Sequence, residues 1–265
     1  MLEQQVSMST ATMLTLIRRT GAEPHTVLAT TPVWEDERAR KQSEERANTE
    51  LARLGLHDGH NVHPDLLATV NAIANPALEY YAWVNGRYED RALNYTVLAG
   101  SGAGEAFVLV RNSDSDSVAL GCVHPNELME NFIAQLPPLN PGRGQPMQVP
   151  KSEMSGGAPR RDFDGENFSV MSNGRRSATA TEVAEMRRIL QLPRLGGGSL
   201  YVAARSRSGR RERAERPVNY IDTPEGRWLT EEVPGSGEPM IAFHPASPQL
   251  LVQRLRNAQS RLPIT

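Results

Sequence analysis

Three histidines at three-residue spacing, His57-x-x-His60-x-x-His63, with Asp58 and Asp65 beside them, come nearest to a metal-ligand set in this 265-residue sequence. A zinc site needs its imidazoles held through the second ring nitrogen. This stretch carries Gly59 and joins two helical segments, so it reads as a solvated loop. Asn112-Ser-Asp114-Ser-Asp116 begins like a calcium loop but lacks the following Gly and the distant bidentate Glu, and reads as a hairpin turn. Gly100-Ser-Gly-Ala-Gly104 follows a strand but opens no helix, so it is not a dinucleotide fingerprint. Cys122 is the only cysteine, which excludes an intrachain disulfide and a cysteine cage for metal. It lies in an apolar run and reads as an inert, buried thiol. Ser101 and Ser236 sit in Gly-rich turns, with no Gly-x-Ser-x-Gly elbow and no carboxylate pair between apolar walls. No catalytic residue, metal or cofactor is assigned, and a non-enzymatic role is expected.

Charge offers a second chemistry. Between Arg205 and Arg216 stand six arginines (205, 207, 210, 211, 213 and 216) against Glu212 and Glu215. Such a segment could meet phosphates or an acidic partner. No aromatic interleaves within it, so a stacking platform for single strands is unsupported, and a solvated hairpin is the plainer reading. A nucleic-acid-binding or regulatory α+β protein using the 205–216 hairpin is the alternative function. The whole chain carries a formal net charge of −2, too little to favour nucleic acid or an acidic membrane globally. Lysine occurs only at positions 41 and 151, which reflects a GC-rich coding bias better than an Arg-specific ligand. The polar, acidic start and the absence of any apolar run of roughly 18 residues predict a cytoplasmic protein.

The elements that would position these groups follow from periodicity. Ser9–Arg19 predicts a helix ended by Gly21. His25 to Val33 reads as a short extended segment. Glu35–Leu54, rich in Glu–Arg pairs at helical spacing, predicts a solvated helix, and Pro64 and Asp65 open another over Leu66–Ala74. Strands are predicted at 78–84, 91–99, 106–110 and 118–123, separated by Gly- and Asn-rich turns as in an antiparallel meander. A helix over Asn126–Leu136 follows, stopped by Pro137-Pro138. Residues 139–178, dominated by Pro, Gly, Ser, Asn and Arg, read as a partly mobile linker with a short segment at 147–150. A helix over 181–192 capped at Thr179, strands at 199–204, 217–221, 227–233 and 240–243, and a helix over 248–262 complete the chain.

Order and offset suggest duplication. Cys122-Val-His124-Pro125 and Ala242-Phe-His244-Pro245 lie 120 residues apart, and the same offset takes Tyr81 to Tyr201. The expected architecture is α+β: a central antiparallel sheet flanked by helical bundles, in two quasi-two-fold related halves. The boundaries are 1–138, a linker at 139–178, and 179–265, with both halves forming one domain. His124 and His244 then mark where a last strand hands over to a closing helix.

Several segments together resemble the EspG family. They are Glu50-Leu-Ala-Arg-Leu-Gly-Leu56, Val62-His-Pro-Asp-Leu-Leu67, Pro76-Ala-Leu-Glu79, Val123-His-Pro-Asn-Glu-Leu128 and Gln145–Pro150 in the first half. In the second they are Gly197-Gly-Ser-Leu-Tyr-Val-Ala203, Gly209-Arg-Arg211, Pro217-Val-Asn-Tyr-Ile-Asp-Thr223 and Gly226-Arg-Trp-Leu-Thr230. The resemblance spans essentially the whole chain and implies a cytosolic chaperone of actinobacterial type VII (ESX) secretion. It implies no catalytic residues. Its partner would be a PE–PPE-like secreted heterodimer, bound 1:1:1 at the apolar tip of the helical PPE component and kept soluble for export. A rigid sheet with variable hairpins suits that task. The expected contacts are Arg87, Tyr88, Arg91, Tyr220, Arg227 and Trp228, chosen for hairpin or strand position and for side chains favoured at hot spots. The 151–178 stretch is more polar and Gly-rich than the regular helix the resemblance implies there.

Overall fold

A computed structural model describes residues 2, 4–28, 36–89, 91–154 and 170–262, with backbone only over 170–179. In chain order the elements are β1 (Val6–Ser9), α1 (Thr10–Arg19), α2 (Glu37–Arg53), α3 (Pro64–Ala74), β2 (Leu78–Tyr88), β3 (Arg91–Gly102), β4 (Glu105–Asn112), β5 (Ser117–Cys122) and α4 (Leu128–Ile133). Then come β6 (Met147–Pro150), α5 (Lys151–Met154), α6 (Val170–Gln191), β7 (Gly196–Arg205), β8 (Arg211–Arg213), β9 (Val218–Thr223), β10 (Gly226–Val233), β11 (Met240–Pro245) and α7 (Pro248–Gln259). The class is α+β, with antiparallel strand pairs and packed helices, as the sequence predicts.

The chain forms two compact units, each discontinuous in sequence. The first comprises Met1–Pro138, Gly198–Pro217 and Pro248–Thr265, and the second Leu139–Gly197 and Val218–Ser247. In the first, the strands run β1-β5-β4-β3-β2-β7, with β8 beside β7. The meander holds its register over eleven residue pairs between β2 and β3, from Leu78↔Ser101 to Tyr88↔Arg91. Side chains alternate between the two faces. One face sends Tyr81, Leu98, Phe107, Leu109 and Leu120 into a core with Met13, Leu16 and Ile17 of α1 and Leu66, Val70 and Ile73 of α3. The opposite face carries Tyr80, whose ring lies 5.8 Å from that of Phe132 in α4.

Polar groups lock the helices of this unit. Ser9 caps α1, and Glu50 of α2 accepts from the Ser9 amide and hydroxyl at 2.7 Å each, and from the Thr12 hydroxyl at 2.5 Å. Burial alone would raise the Glu50 carboxyl, but the hydrogen bonds from Thr12 and Ser9 outweigh it and hold it below its ordinary range. Asp36 caps α2 through the Ala39 amide. The helix buries only Ala47 and Leu51, in keeping with the solvated helix expected there. His63 and His124 each accept from the amide two residues on, Asp65 and Asn126 respectively at 3.3 Å, with proline in the first turn. His244 does something else. It sits inside β11, and the helix beyond it begins only at Pro248.

In the second unit the order is β9-β10-β11-β6. Ile221, Trp228, Phe243, Met147 and Val149 pack with Val183, Met186 and Ile189 of α6. The expected linker is in part structured. Its residues 140–142 run along β10, with the Arg227 amide donating to Asn140 O and the Gly142 amide to Arg227 O, and β6 and α5 follow. The expected mobility of 155–169 falls outside the described residues. Helix α6 begins at Val170, not at Thr179, because the Ala- and Arg-bearing turn ahead of the expected cap extends it.

Candidate functional site

The β2–β3 ribbon ends in a hairpin that carries three of the six expected contact residues. Arg87 and Arg91 are exposed and Tyr88 is half-buried. Tyr88 pairs across the ribbon with Arg91, and Arg87 with Ala92, so Arg87 faces one side and the Tyr88–Arg91 pair the other. Glu89 adopts a positive φ of 49° at the turn.

The other three expected residues lie in the second unit, away from its surface. Trp228 is fully buried, its ring 6.5 Å from that of Phe243. A Cβ added at Gly142 would lie only 2.2 Å from Cε2 of the indole, so the backbone there closes directly over the ring. Arg227, 4% exposed, donates to both carboxylate oxygens of the wholly buried Asp222, at 2.7 and 2.8 Å, and its guanidinium lies 4.5 Å from the Tyr220 ring. Asp222 and Arg227 are directly opposed across β9 and β10. Tyr220, Arg227 and Trp228 therefore depart from the expectation of surface contacts. A large aromatic or arginine on a short strand satisfies the residue-type criterion equally well as a core group, and composition does not separate the two.

The arginine-rich 205–216 segment is the β7–β8 hairpin, and the fold gives it aromatic neighbours that its own sequence lacks. Arg211 donates to Glu79, itself 2% exposed. Burial would raise the Glu79 carboxyl. His25, with Nε2 3.6 Å away, and Arg211 together hold it below its ordinary range. Arg211 also lies 5.5 Å from the Tyr81 ring, and Arg213 lies 5.3 Å from that of Tyr201. Tyr81 and Tyr201, the pair at the 120-residue offset, stack at 5.0 Å with an interplanar angle of 8°. Trp83 meets Tyr201 edge-on at 5.6 Å and is 38% exposed. Sequence reading missed this cluster because its members come from three separated segments. The available signals were the period-2 pattern Tyr81, Trp83 on β2 and the offset that relates Tyr81 to Tyr201.

The remaining motifs serve local structure. His57 Nδ1 accepts from the Gly59 amide, and Asp58 takes the amides of His60 and Asn61. Among the described residues no cluster of three His, Cys, Asp or Glu could hold a metal ion. Asn112 accepts from the amides of Asp114 and Ser115, closing the expected hairpin turn. Cys122 is only partly buried, 3.4 Å from the Thr69 hydroxyl. An open groove of about 550 Å³ in the first unit is lined in part by Tyr80, Met129, Glu130, Arg256 and Gln259. The Tyr80 hydroxyl donates to Gln259 at 2.5 Å and Arg256 pairs with Glu130 at 2.6 Å. Burial, with the Glu130 charge adding to it, pushes the Tyr80 phenol well above its usual range. Among the described residues no helix is long and apolar enough to cross a membrane.

The strands bury Tyr80, Tyr81, Phe107, Tyr220, Trp228 and Phe243, and the β2–β3 hairpin leaves Arg87 and Arg91 exposed. The chain belongs to the EspG family, whose model matches residues 9–257. Its fold is similar to that of the Mycobacterium tuberculosis type VII secretion system chaperone EspG5, solved in complex with a PE25–PPE41 dimer. The two align with a TM-score of 0.66 at 16% sequence identity, over 98% of this chain and 97% of that one. No curated protein matches the sequence significantly.

Proposed function

We propose that this chain is a cytoplasmic, non-enzymatic chaperone of type VII (ESX) secretion. It binds a PE–PPE-like helical heterodimer in a 1:1:1 complex. It covers the apolar tip of the PPE-like component and keeps the dimer soluble until export. The observation that carries this reading is family membership over residues 9–257, supported by a fold likeness along nearly the full length of a secretion chaperone. Physically, a client tip rich in apolar surface self-associates in water unless it is covered. A pre-formed sheet with protruding hairpins covers such a tip at little ordering cost. Within this reading Arg87, Tyr88 and Arg91 are the contacts on the β2–β3 hairpin, while Tyr220, Arg227 and Trp228 hold the buried interior of the second unit.

The test is affinity purification of the full chain from its native cell, identification of the bound chains, and light scattering on the eluted complex. A helical heterodimer recovered at 1:1:1, which precipitates when expressed without the chaperone, is the expected result. Recovery of nucleic acid with salt-sensitive binding and no helical client would overturn it in favour of the 205–216 hairpin as a nucleic-acid contact.

A further inference from the structure

Trp83 is one of only four large apolar side chains exposed among the described residues, and the only aromatic one. It is not isolated. Along one face of the first unit it stands beside half-buried Tyr201, over which Arg213 lies. In the other direction the same face of β2 continues through exposed Asn85 to exposed Arg87. The strip thus has aromatic surface at its centre and a guanidinium at each end.

Its rigidity has a visible cause. Tyr201 is stacked on buried Tyr81, which is itself met edge-on by His25 at 4.7 Å. Arg211, next but one to Arg213 on β8, is anchored to buried Glu79. The anchor consumes Arg211 and leaves Arg213 facing outward. Among the described residues Arg213 and Arg87 hold no carboxylate, Arg213 in a hairpin where six arginines stand against two glutamates and Arg87 on the separate β2–β3 hairpin, in a chain of net charge −2. Tryptophan, tyrosine and arginine on a rigid support are the side chains that carry binding energy at protein interfaces.

We infer that the strip Arg213–Tyr201–Trp83–Arg87 is a docking surface for an acidic segment of a protein partner, taking its carboxylates on the two arginines and its apolar side chains on the aromatics between them. Charge complementarity decides the occupant. Arginines flanking an aromatic surface favour carboxylates set around apolar groups, and they repel a basic segment. The assignment of this segment to the secretion client rests on the function proposed above. Acidic residues beside the client's apolar tip would then fix the orientation in which the tip arrives.

The experiment measures fluorescence anisotropy of a labelled peptide alternating Glu and Leu against the full chain, with the same peptide carrying Gln for Glu and an oligo-dT strand as comparisons. The expected result is saturable binding of the acidic peptide, about tenfold weaker for the Gln version. Trp83→Ala and Arg213→Glu should each weaken it by at least about tenfold as well, with thermal unfolding unchanged for the exposed Arg213→Glu variant. Absence of peptide binding, equal binding of the Gln peptide, equal binding by both variants, or displacement of the peptide by oligo-dT would each overturn the inference. The peptide assay needs no client. Its failure leaves client capture as a separate question, and failure of client capture with peptide binding intact removes the chaperone reading alone.

Discussion

Replacing Arg227 with methionine separates a buried frame from a contact surface. The substitution keeps most of the side-chain volume and removes two hydrogen bonds of 2.7 and 2.8 Å to Asp222, together with the stacking on Tyr220. Asp222 has no exposed surface, so its carboxylate is left buried opposite a thioether. Breaking a buried pair from one side costs about 3–5 kcal/mol, and the lost cation–π contact adds roughly 0.5–2 kcal/mol. At about 2–4 °C per kcal/mol for a protein of this size, the melting temperature should fall by roughly 7–28 °C. The double variant Asp222→Leu/Arg227→Met removes both charges and should recover most of that loss, because an apolar pair of similar volume is often as stable as the ions it replaces. Calorimetry on the wild type, both single variants and the double variant measures the coupling. Client capture, assayed well below the melting transition, should be unchanged in Arg227→Met. A melting temperature within about 2 °C of wild type for Arg227→Met would refute the burial argument. Loss of capture with stability intact would return Arg227 to the contact surface.

Gly142→Ala should destabilise the second unit by about 1–3 kcal/mol, the usual cost of overpacking, because the new methyl enters the space of the Trp228 ring; urea unfolding followed by Trp fluorescence reads this directly. Glu79, held below its ordinary range in the folded chain, binds protons more weakly folded than unfolded. The stability it contributes is therefore present above about pH 4.3, the ordinary glutamate value, and is lost as pH falls through its lower folded value. Melting temperatures between pH 7 and pH 3 should show this dependence diminished in Glu79→Gln, and an identical profile would sink the argument.

The sequence reveals elements where the signal is local. The Glu- and Arg-rich stretch that became α2, the Pro-opened α3 and the strands between Gly- and Asn-rich turns all appear close to their expected bounds, because caps and turns act within a few residues. It fails where the determinant is distant. Val6–Ser9 carries only two apolar residues, Val6 and Met8, too short an alternation to announce a strand, and it becomes one by pairing with Leu120–Ser117, more than a hundred residues on. Arg211–Arg213 reads as solvated loop, yet its partners are Ala203–Arg205, and through them Tyr201. His244 copies the His-Pro of His124 in sequence, but it pairs with Leu229 in a strand where the other opens a helical turn. The same limit governs the site. Hairpin position correctly marks Arg87 and Arg91 as exposed, whereas the burial of Trp228 depends on Gly142 and Gly144 approaching from a segment that composition marks as linker.

The interrupted course of the first unit has a consequence for the order in which the protein comes into being. Its strand β2 is made early relative to its neighbour, for β7 takes its place beside β2 only after about 120 further residues, and Gln259 of α7 reaches the Tyr80 hydroxyl later still. Contacts of such separation form late, after the cost of closing long loops has been met. On the ribosome, the β2–β3 ribbon can fold with its hairpin while Tyr201 and Arg213 have not yet been synthesised. The strip that would recognise a partner is thus completed more than a hundred residues after its first members are made, and a nascent chain cannot hold a client before it can hold itself.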